Sequence, residues 1–230
     1  MFTGIVQQKG VITAIEEKLN ARRHTVKLPL AFALGIQIGD SVANNGCCLS
    51  VISYSFIYQG KEYSQEELPT LAQEITQINQ QDYALLSFDL ISTTLNLTNL
   101  GSLQVGQEVN IERSFKYGTE VGGHIMSGHI DQKLEIIALK NQDNIYQLEF
   151  ALPEQFTPYI FDKGFVGIDG MSLTVSSITD RGFTVNLIPD TLARTTIGSK
   201  QVGDFVNLEI DNTTKVIVQT VNQYLQKLKA

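Results

Sequence analysis

Hydrophobic and polar positions along the chain alternate in short runs divided by glycine or polar turns. Val11–Ile15, Val42–Ile52, Leu85–Leu90 and Val109–Glu112 are rich in β-branched and other apolar residues and partly alternate. That is the period-two pattern of half-buried strands. Val166–Val175, Phe183–Ile188 and Phe205–Ile210 repeat it. Many short strands with few helical stretches predict an all-β chain, with a small antiparallel barrel expected and a sandwich as the alternative. Two segments depart from the pattern. Ser64–Asn79 opens like a capped turn and then puts Leu71, Ile75 and Ile78 at helical spacing. Thr213–Lys229 carries Val216, Val218, Val221, Tyr224, Leu225 and Leu228 as one stripe of an amphipathic helix. Such a stripe needs a surface to cover, either its own domain or another copy of the chain.

The strand pattern repeats because the sequence does. Residues 88–114 lie over 185–211 at an offset of 97, with 13 identities in 27 positions. The pairs Thr94/Thr191, Leu95/Leu192, Gly101/Gly198, Gly106/Gly203 and Glu112/Glu209 are among them. Earlier in each copy the offset is 124, which sets Ser41–Val51 over Phe165–Val175 and Gly4-Ile5-Val6 over Gly128-His129-Ile130. The difference, 124 − 97 = 27, is an insertion in the first copy between Val51 and Phe88. Each copy is of domain size, too long for a solenoid unit. The expected organisation is a first barrel over 1–124 with its insertion near 54–84, a second over 125–212, and a terminal helix over 213–230.

Composition narrows the function classes. With 43% hydrophobic and 18% charged residues the chain has material for a core. A net charge of −7 and no basic run longer than Arg22-Arg23 argue against nucleic acid. No apolar stretch approaches a membrane span, and the first ten residues show no secretory leader. Cys47 and Cys48 are adjacent, a poor geometry for a disulfide, and free thiols fit a reducing compartment. A cytoplasmic protein is expected.

Chemistry concentrates in a few places. Gly122–His129 holds two histidines five apart on a glycine-rich segment, which is not the helical spacing of a zinc motif. The pair either hydrogen-bonds the backbone or supplies an imidazole that moves protons. Asn45–Leu49 is a turn running into a strand, and its Cys47-Cys48 become Met171-Ser172 in the second copy. Ile5 likewise becomes His129. Two similar pockets that divide their labour would differ in this way. The hydroxyls of Ser92-Thr93-Thr94 and Thr191 suit a polyhydroxylated ligand, although they are equally ordinary turn residues.

Taken together, Met1–Val6, Gly39–Val51, Thr94–Gly101, Gly122–Ile130, Lys163–Val175 and Ile188–Leu192 resemble the riboflavin synthase family of the alpha-chain type. The likeness spans the chain apart from the insertion. It implies two tandem, six-stranded, Greek-key barrels with a C-terminal α-helix. It also implies a transferase that dismutates two 6,7-dimethyl-8-ribityllumazine molecules. One four-carbon unit passes between them, giving riboflavin and 5-amino-6-(ribitylamino)uracil with no cofactor and no metal. The implied assembly is a homotrimer held by the terminal helices, with each active site between neighbouring subunits and lumazine synthase as a further partner. The related antenna proteins, which bind lumazine or flavin without turnover, are the alternative.

The resemblance also implies site residues. Ser41, Cys48 and His129 are the expected catalytic group, with His129 as proton shuttle, and Phe2 is expected to close over the rings. Further ligand contacts in and around the first barrel are Gly4, Ile5, Val6, Leu49 and Ser50. The set continues through Asp89, Leu90, Ile91, Ser92, Thr93 and Thr94, and then Gly128 and Ile130. In the second barrel the contacts are Lys163, Ser172, Leu173 and Thr174, followed by Leu187, Ile188, Pro189, Asp190, Thr191 and Leu192. This chain departs from the family pattern in its insertion, in Ser50 for the usual Thr, and in lacking a Glu near Thr93-Thr94.

Overall fold

The computed structural model describes residues 1–67, 77–142 and 145–229. The first copy forms β1 (Gln8–Lys18), β2 (Ala21–Pro29), β3 (Ser41–Asn44), β4 (Cys47–Tyr58), β5 (Lys61–Ser64), β6 (Tyr83–Ile91) and β7 (Glu108–Arg113). Six strands run in the order β3-β7-β1-β2-β6-β4, and pairing of β3 with β4 closes the ring. The second copy supplies β8 (Gln132–Gln142), β9 (Ile145–Ala151), β10 (Phe165–Ile168), β11 (Met171–Ile178), β12 (Gly182–Leu187) and β13 (Phe205–Ile210). They close in the equivalent order, β10-β11-β12-β9-β8-β13. The sandwich alternative is excluded. Short helices α1 (Leu30–Ala33), α2 (Ser92–Leu97) and α3 (Pro189–Arg194) sit on the barrel ends, and α4 (Asn212–Lys229) closes the chain.

The duplication extends to irregularities of the ladder. β4 bulges against β6 between Val51 and Ser53, and β11 against β12 between Val175 and Ser177. β1 bulges between Ile12 and Ala14, and β8 between Ile136 and Ala138. A bulge bends its strand and raises the local twist. These four recur at the offset of 124 and help to curl each sheet shut. Val26, Phe56, Leu86 and Phe88 fill the first interior, and Leu134, Phe150, Phe183 and Val206 the second. Each such side chain contributes roughly 1.5–3 kcal/mol by leaving water.

The insertion lengthens a hairpin. β4 has 12 residues against 8 in β11, and β5 pairs with its far end, where Phe56 stacks on Tyr63 at 5.3 Å. The Asp82 carboxylate accepts the N–H groups of Gln59 and Asn79, tying the two ends of the insertion together. The capped turn is seen at Ser64, whose N–H and hydroxyl donate to Glu67. The helical stripe expected through Leu71 and Ile75 lies outside the described residues.

The barrels join across a local two-fold built from asparagines. Asn110 N–H donates to Asn45 Oδ1 while its amide donates to Asp169 O. Reciprocally, Asn207 N–H donates to Asp169 Oδ1 and its amide to Asn45 O. At the axis a Cβ on Gly46 would lie 2.7 Å from Gly170 N, and both glycines have φ near +80° (+79° and +81°). No other residue type fits there.

Candidate functional site

The hairpin β3–β4 has two faces. Val42, Cys47, Leu49 and Val51 turn into the core, and burial pushes the Cys47 thiol up to about 12, so it is a packed apolar group. Ser41, Ala43, Cys48 and Ser50 share the opposite face, since Ser41 opposes Ser50 and Ala43 opposes Cys48. Over this face lies a segment that precedes the second barrel. Cys48 N–H donates to Gly128 O at 2.9 Å. A Cβ on Gly128 would stand 2.5 Å from Cys48 Cβ and 2.8 Å from the Phe2 ring, at φ +81°. Glycine is therefore required there. His129 follows directly and is exposed, and Ile130 plugs into the first core.

The second barrel mirrors this with the roles of the segments exchanged. Ser172 N–H donates to Gly4 O at 2.7 Å, and a Cβ on Gly4 would stand 2.6 Å from Ser172 Cβ. Val6 packs against the second core. Gly4–Val6 of the N-terminal segment therefore lie over the second barrel, and Gly128–Ile130 of the inter-barrel segment lie over the first. The two segments pair at Phe2 and Met126, whose backbones exchange hydrogen bonds of 2.8 and 3.0 Å. Gly4, Ile5 and Val6, grouped with the first barrel in the sequence reading, lie instead against the second.

Two buried glutamates hold these segments, and neither was among the expected residues. Glu112 on β7 accepts Thr3 N–H, the Thr3 hydroxyl and Gly4 N–H at 2.7–3.1 Å. Glu209 on β13 accepts Ser127 N–H, the Ser127 hydroxyl and Gly128 N–H at 2.6–3.2 Å. Burial pushes both carboxyls up, and the donors pull them partly back. The signal available in the sequence was an acid at the same place in both copies, Glu112 and Glu209, within a strand that otherwise alternates.

On the second barrel Lys163, Ser172, Leu173, Thr174, Ile188 and Thr191 line one pocket of ≈ 530 Å³, with Val175, Ser176 and Asn186. That volume suits a small-molecule ligand. Leu187 and Leu192 turn towards the core, and Pro189 and Asp190 begin α3, where Asp190 accepts from Arg194 at 2.7 Å. Lys163 sits in the left-handed region (φ +62°) where the first copy has Gly39.

On the first barrel Cys48, Phe2 and Gly128 meet, with His129 next in the chain and exposed, while Ser41 lies about 7 Å along β3 from Ala43. There it edges a groove with Arg113 and Lys116. Phe2 is buried between Ala43, Met126 and Cys48. Leu49 and Leu90 are core residues, Asp89 and Ile91 are exposed, and Ser92, Thr93 and Thr94 form the first turn of α2. Asp89 accepts a two-point ion pair from Arg23 at 2.8 and 3.0 Å, and a contact from Lys18. The aligned pair in the second barrel is uncharged, with Gln147 donating to Asn186 at 2.9 Å. Similar frames thus carry a charged pair in one copy and a neutral one in the other.

Comparison with known proteins agrees with this architecture. The family model for the lumazine binding domain matches twice, over residues 3–114 and 127–211. The chain is 44% identical to "Riboflavin synthase" of Escherichia coli strain K12, over 98% of this chain and 93% of that one. Identity to the protein of the same name from Buchnera aphidicola subsp. Schizaphis graminum is 40%, over 99% and 97% of the two chains. For Mycobacterium tuberculosis strain H37Rv it is 36%, over 94% and 96%. Among solved structures, LumP in complex with 6,7-dimethyl-8-(1'-D-ribityl) lumazine superposes with a TM-score of 0.71 at 23% identity. It covers 92% of this chain and 100% of that one, a likeness of fold. With both repeats matched and such relatives along nearly its whole length, the chain belongs to the riboflavin synthase family of transferases, built on tandem lumazine-binding barrels.

Proposed function

We propose that the chain converts two molecules of 6,7-dimethyl-8-ribityllumazine into riboflavin and 5-amino-6-(ribitylamino)uracil by moving a four-carbon unit from one ring to the other. The observation that carries this reading is the pair of homologous barrel hairpins, each covered by a glycine-anchored lip, with unlike side chains. One presents Cys48 beside Gly128-His129, and the other presents Lys163, Ser172, Thr174 and Thr191. A dismutation needs two copies of one substrate held in different roles, and two like frames with different linings meet that need.

The 7-methyl group of the lumazine is acidic because its carbanion delocalises into the ring. In this reading His129, at an exposed lip, takes and returns that proton, and Ser41 and Cys48 polarise or activate the attacking group. Phe2 supports the floor beneath Cys48, and the contacts of Asp89–Thr94 and Leu187–Leu192 serve the ribityl chains. Holding two rings in register supplies much of the acceleration.

The same reading includes a cytoplasmic homotrimer. On α4 Val216, Ile217, Val221, Tyr224, Leu225 and Leu228 are all exposed, an apolar face of the kind that a neighbouring copy covers. The first pocket of one subunit then faces the second pocket of the next. The functional units are 1–124, 125–212 and 213–230, with the two lip segments exchanged between barrels, and a lumazine synthase is the natural supplier of substrate. Incubating the purified chain with the lumazine and following riboflavin absorbance tests the proposal. One riboflavin per two substrates consumed, with EDTA present, is the expected result. Tight binding without turnover would make it an antenna protein instead.

A further inference from the structure

His124, the other histidine of the Gly122–His129 segment, has no part in the chemistry proposed above, yet its surroundings are closely defined. The ring is 8% exposed and stacks on Phe165, with centroids 5.2 Å apart and planes 15° from parallel. Its Nδ1 lies 2.7 Å from Ser172 Oγ, and its backbone N–H donates to the same oxygen at 3.1 Å. Ser172 is itself clamped, because a Cβ on Gly4 or Gly123 would stand 2.6 Å from its Cβ. Its hydroxyl group therefore has little freedom except towards the pocket that Ser172 lines.

The position of the ring proton follows from the other nitrogen. Among the described residues His124 Nε2 is buried with no partner. A buried N–H without an acceptor is rarer than a buried acceptor left open. The neutral ring therefore carries its proton on Nδ1. Burial keeps it neutral by pushing its pKa down, against a smaller opposing pull from Asp211. Ser172 Oγ then accepts two hydrogen bonds, one from the backbone N–H and one from Nδ1–H, which fills both lone pairs. Only its O–H is left, and it can only donate.

We propose that His124 is a positioning residue that fixes Ser172 as an obligate hydrogen-bond donor. The second pocket then selects a ring that presents an acceptor there, a carbonyl oxygen or an unprotonated ring nitrogen. This deepens the reading of that pocket as a lumazine site and rests on it. At the aligned position of the first barrel Cys48 offers a weak thiol donor. The two pockets thus present different groups to the same part of a bound ring.

Two measurements test it. Imidazole ¹⁵N spectra of the full, histidine-labelled chain, assigned among its three histidines with His124→Phe, should show His124 protonated on Nδ1. A proton on Nε2 instead would make Ser172 donate to the ring and accept from the ligand, and would overturn the proposal. Steady-state kinetics with 6,7-dimethyl-8-ribityllumazine supply the second. Ser172→Ala should raise KM about fivefold, the value of one hydrogen bond, with kcat nearly unchanged. His124→Phe, which keeps the stack on Phe165, should raise KM by less, and the double variant should match Ser172→Ala because the ring acts only through that hydroxyl. Effects that multiply, or a loss confined to kcat, would refute the assignment. Absence of turnover by the unaltered chain would defeat the functional reading, while the ring tautomer, measured without ligand, would still decide the donor assignment.

Discussion

Asp169 holds the place that Asn45 holds in the first copy, and the exchange has a calculable consequence. Its side chain is fully buried. Oδ1 accepts from Asn207 N–H at 2.7 Å and from the Asn99 amide at 2.9 Å, while Oδ2 has no partner among the described residues. Burial pushes its pKa from 3.8 up to about 6, with Lys200 and the two donors pulling weakly the other way. The folded state thus binds a proton more tightly than the unfolded chain. Stability is full below the unfolded value near 3.8, falls as pH rises through 3.8–6, and stays lower above it. The span corresponds to about 3 kcal/mol. Asp169→Asn keeps Oδ1 as acceptor and removes the charge. Its new amide stands where Asn45 Nδ2, in the other half, donates to Asn99 Oδ1 at 3.1 Å. The residue aligned with Asn99 is Thr196, whose buried hydroxyl also has no partner among the described residues. Urea unfolding of both proteins from pH 3.5 to 8, at one protein concentration, isolates this group from the other titrating carboxyls. The variant should match the parent near pH 3.5 and exceed it by about 1–3 kcal/mol above pH 6. A gap that is the same at every pH, or a variant less stable at pH 8, would refute the reasoning.

Three further outcomes are expected. His129→Ala should lower kcat by roughly 10² to 10⁴ while leaving lumazine affinity nearly intact, so full activity at neutral pH in a stopped-flow assay would remove it from the proton path. Glu209→Gln, which sets an amide against the N–H groups of Ser127 and Gly128, should cost about 1.5–3 kcal/mol in urea unfolding and lower turnover through the loosened His129 lip. An unchanged midpoint and rate would show that the carboxylate does not hold the segment. Truncation after Asn212 should give folded monomers that bind lumazine but turn over slowly, and a trimer persisting in sedimentation would disprove the role given to α4.

Much of this architecture is legible in the sequence because duplication writes it twice. The turns Asn45-Gly46 and Asp169-Gly170, the strands after them and the insertion all follow from two alignment offsets. What escapes has physical causes. β8 reads Gln-Lys-Leu-Glu-Ile-Ile-Ala-Leu-Lys-Asn-Gln, and its bulge at Ile136–Ala138 shifts the inward phase halfway along, so no period of two survives. β2 escapes because Arg22 and His24 take positions on the inward-facing row, where β9 has Tyr146 and Leu148. That Lys163, Ser172, Thr174 and Thr191 lie together was readable, because hairpin alternation and motif fix them in one place. The placement of Gly4–Val6 was not, since alignment says which segments are equivalent and is silent on which barrel each one covers.

That exchange explains where the two copies were free to diverge. At the two-fold axis every group is answered by its counterpart, Asn110 with Asn45 and Asp169, and Asn207 with Asp169 and Asn45. A change on one side there leaves a buried polar atom without a partner among the described residues, as Asp169 Oδ2 shows. Each hairpin, in contrast, is covered by its own stretch of the two lips, Gly128 with Phe2 over Cys48, and Gly4 with His124 over Ser172. His124 therefore bears on Ser172, and His129 follows the glycine that covers Cys48, so single side chains of one lip serve different hairpins. Glu112 and Glu209 fix the two lips through their backbones, so side chains as different as Ile5 and His129 can follow the same anchored turn. The frame stays symmetric because its hydrogen bonds are shared, and the chemistry can become asymmetric because its side chains are not.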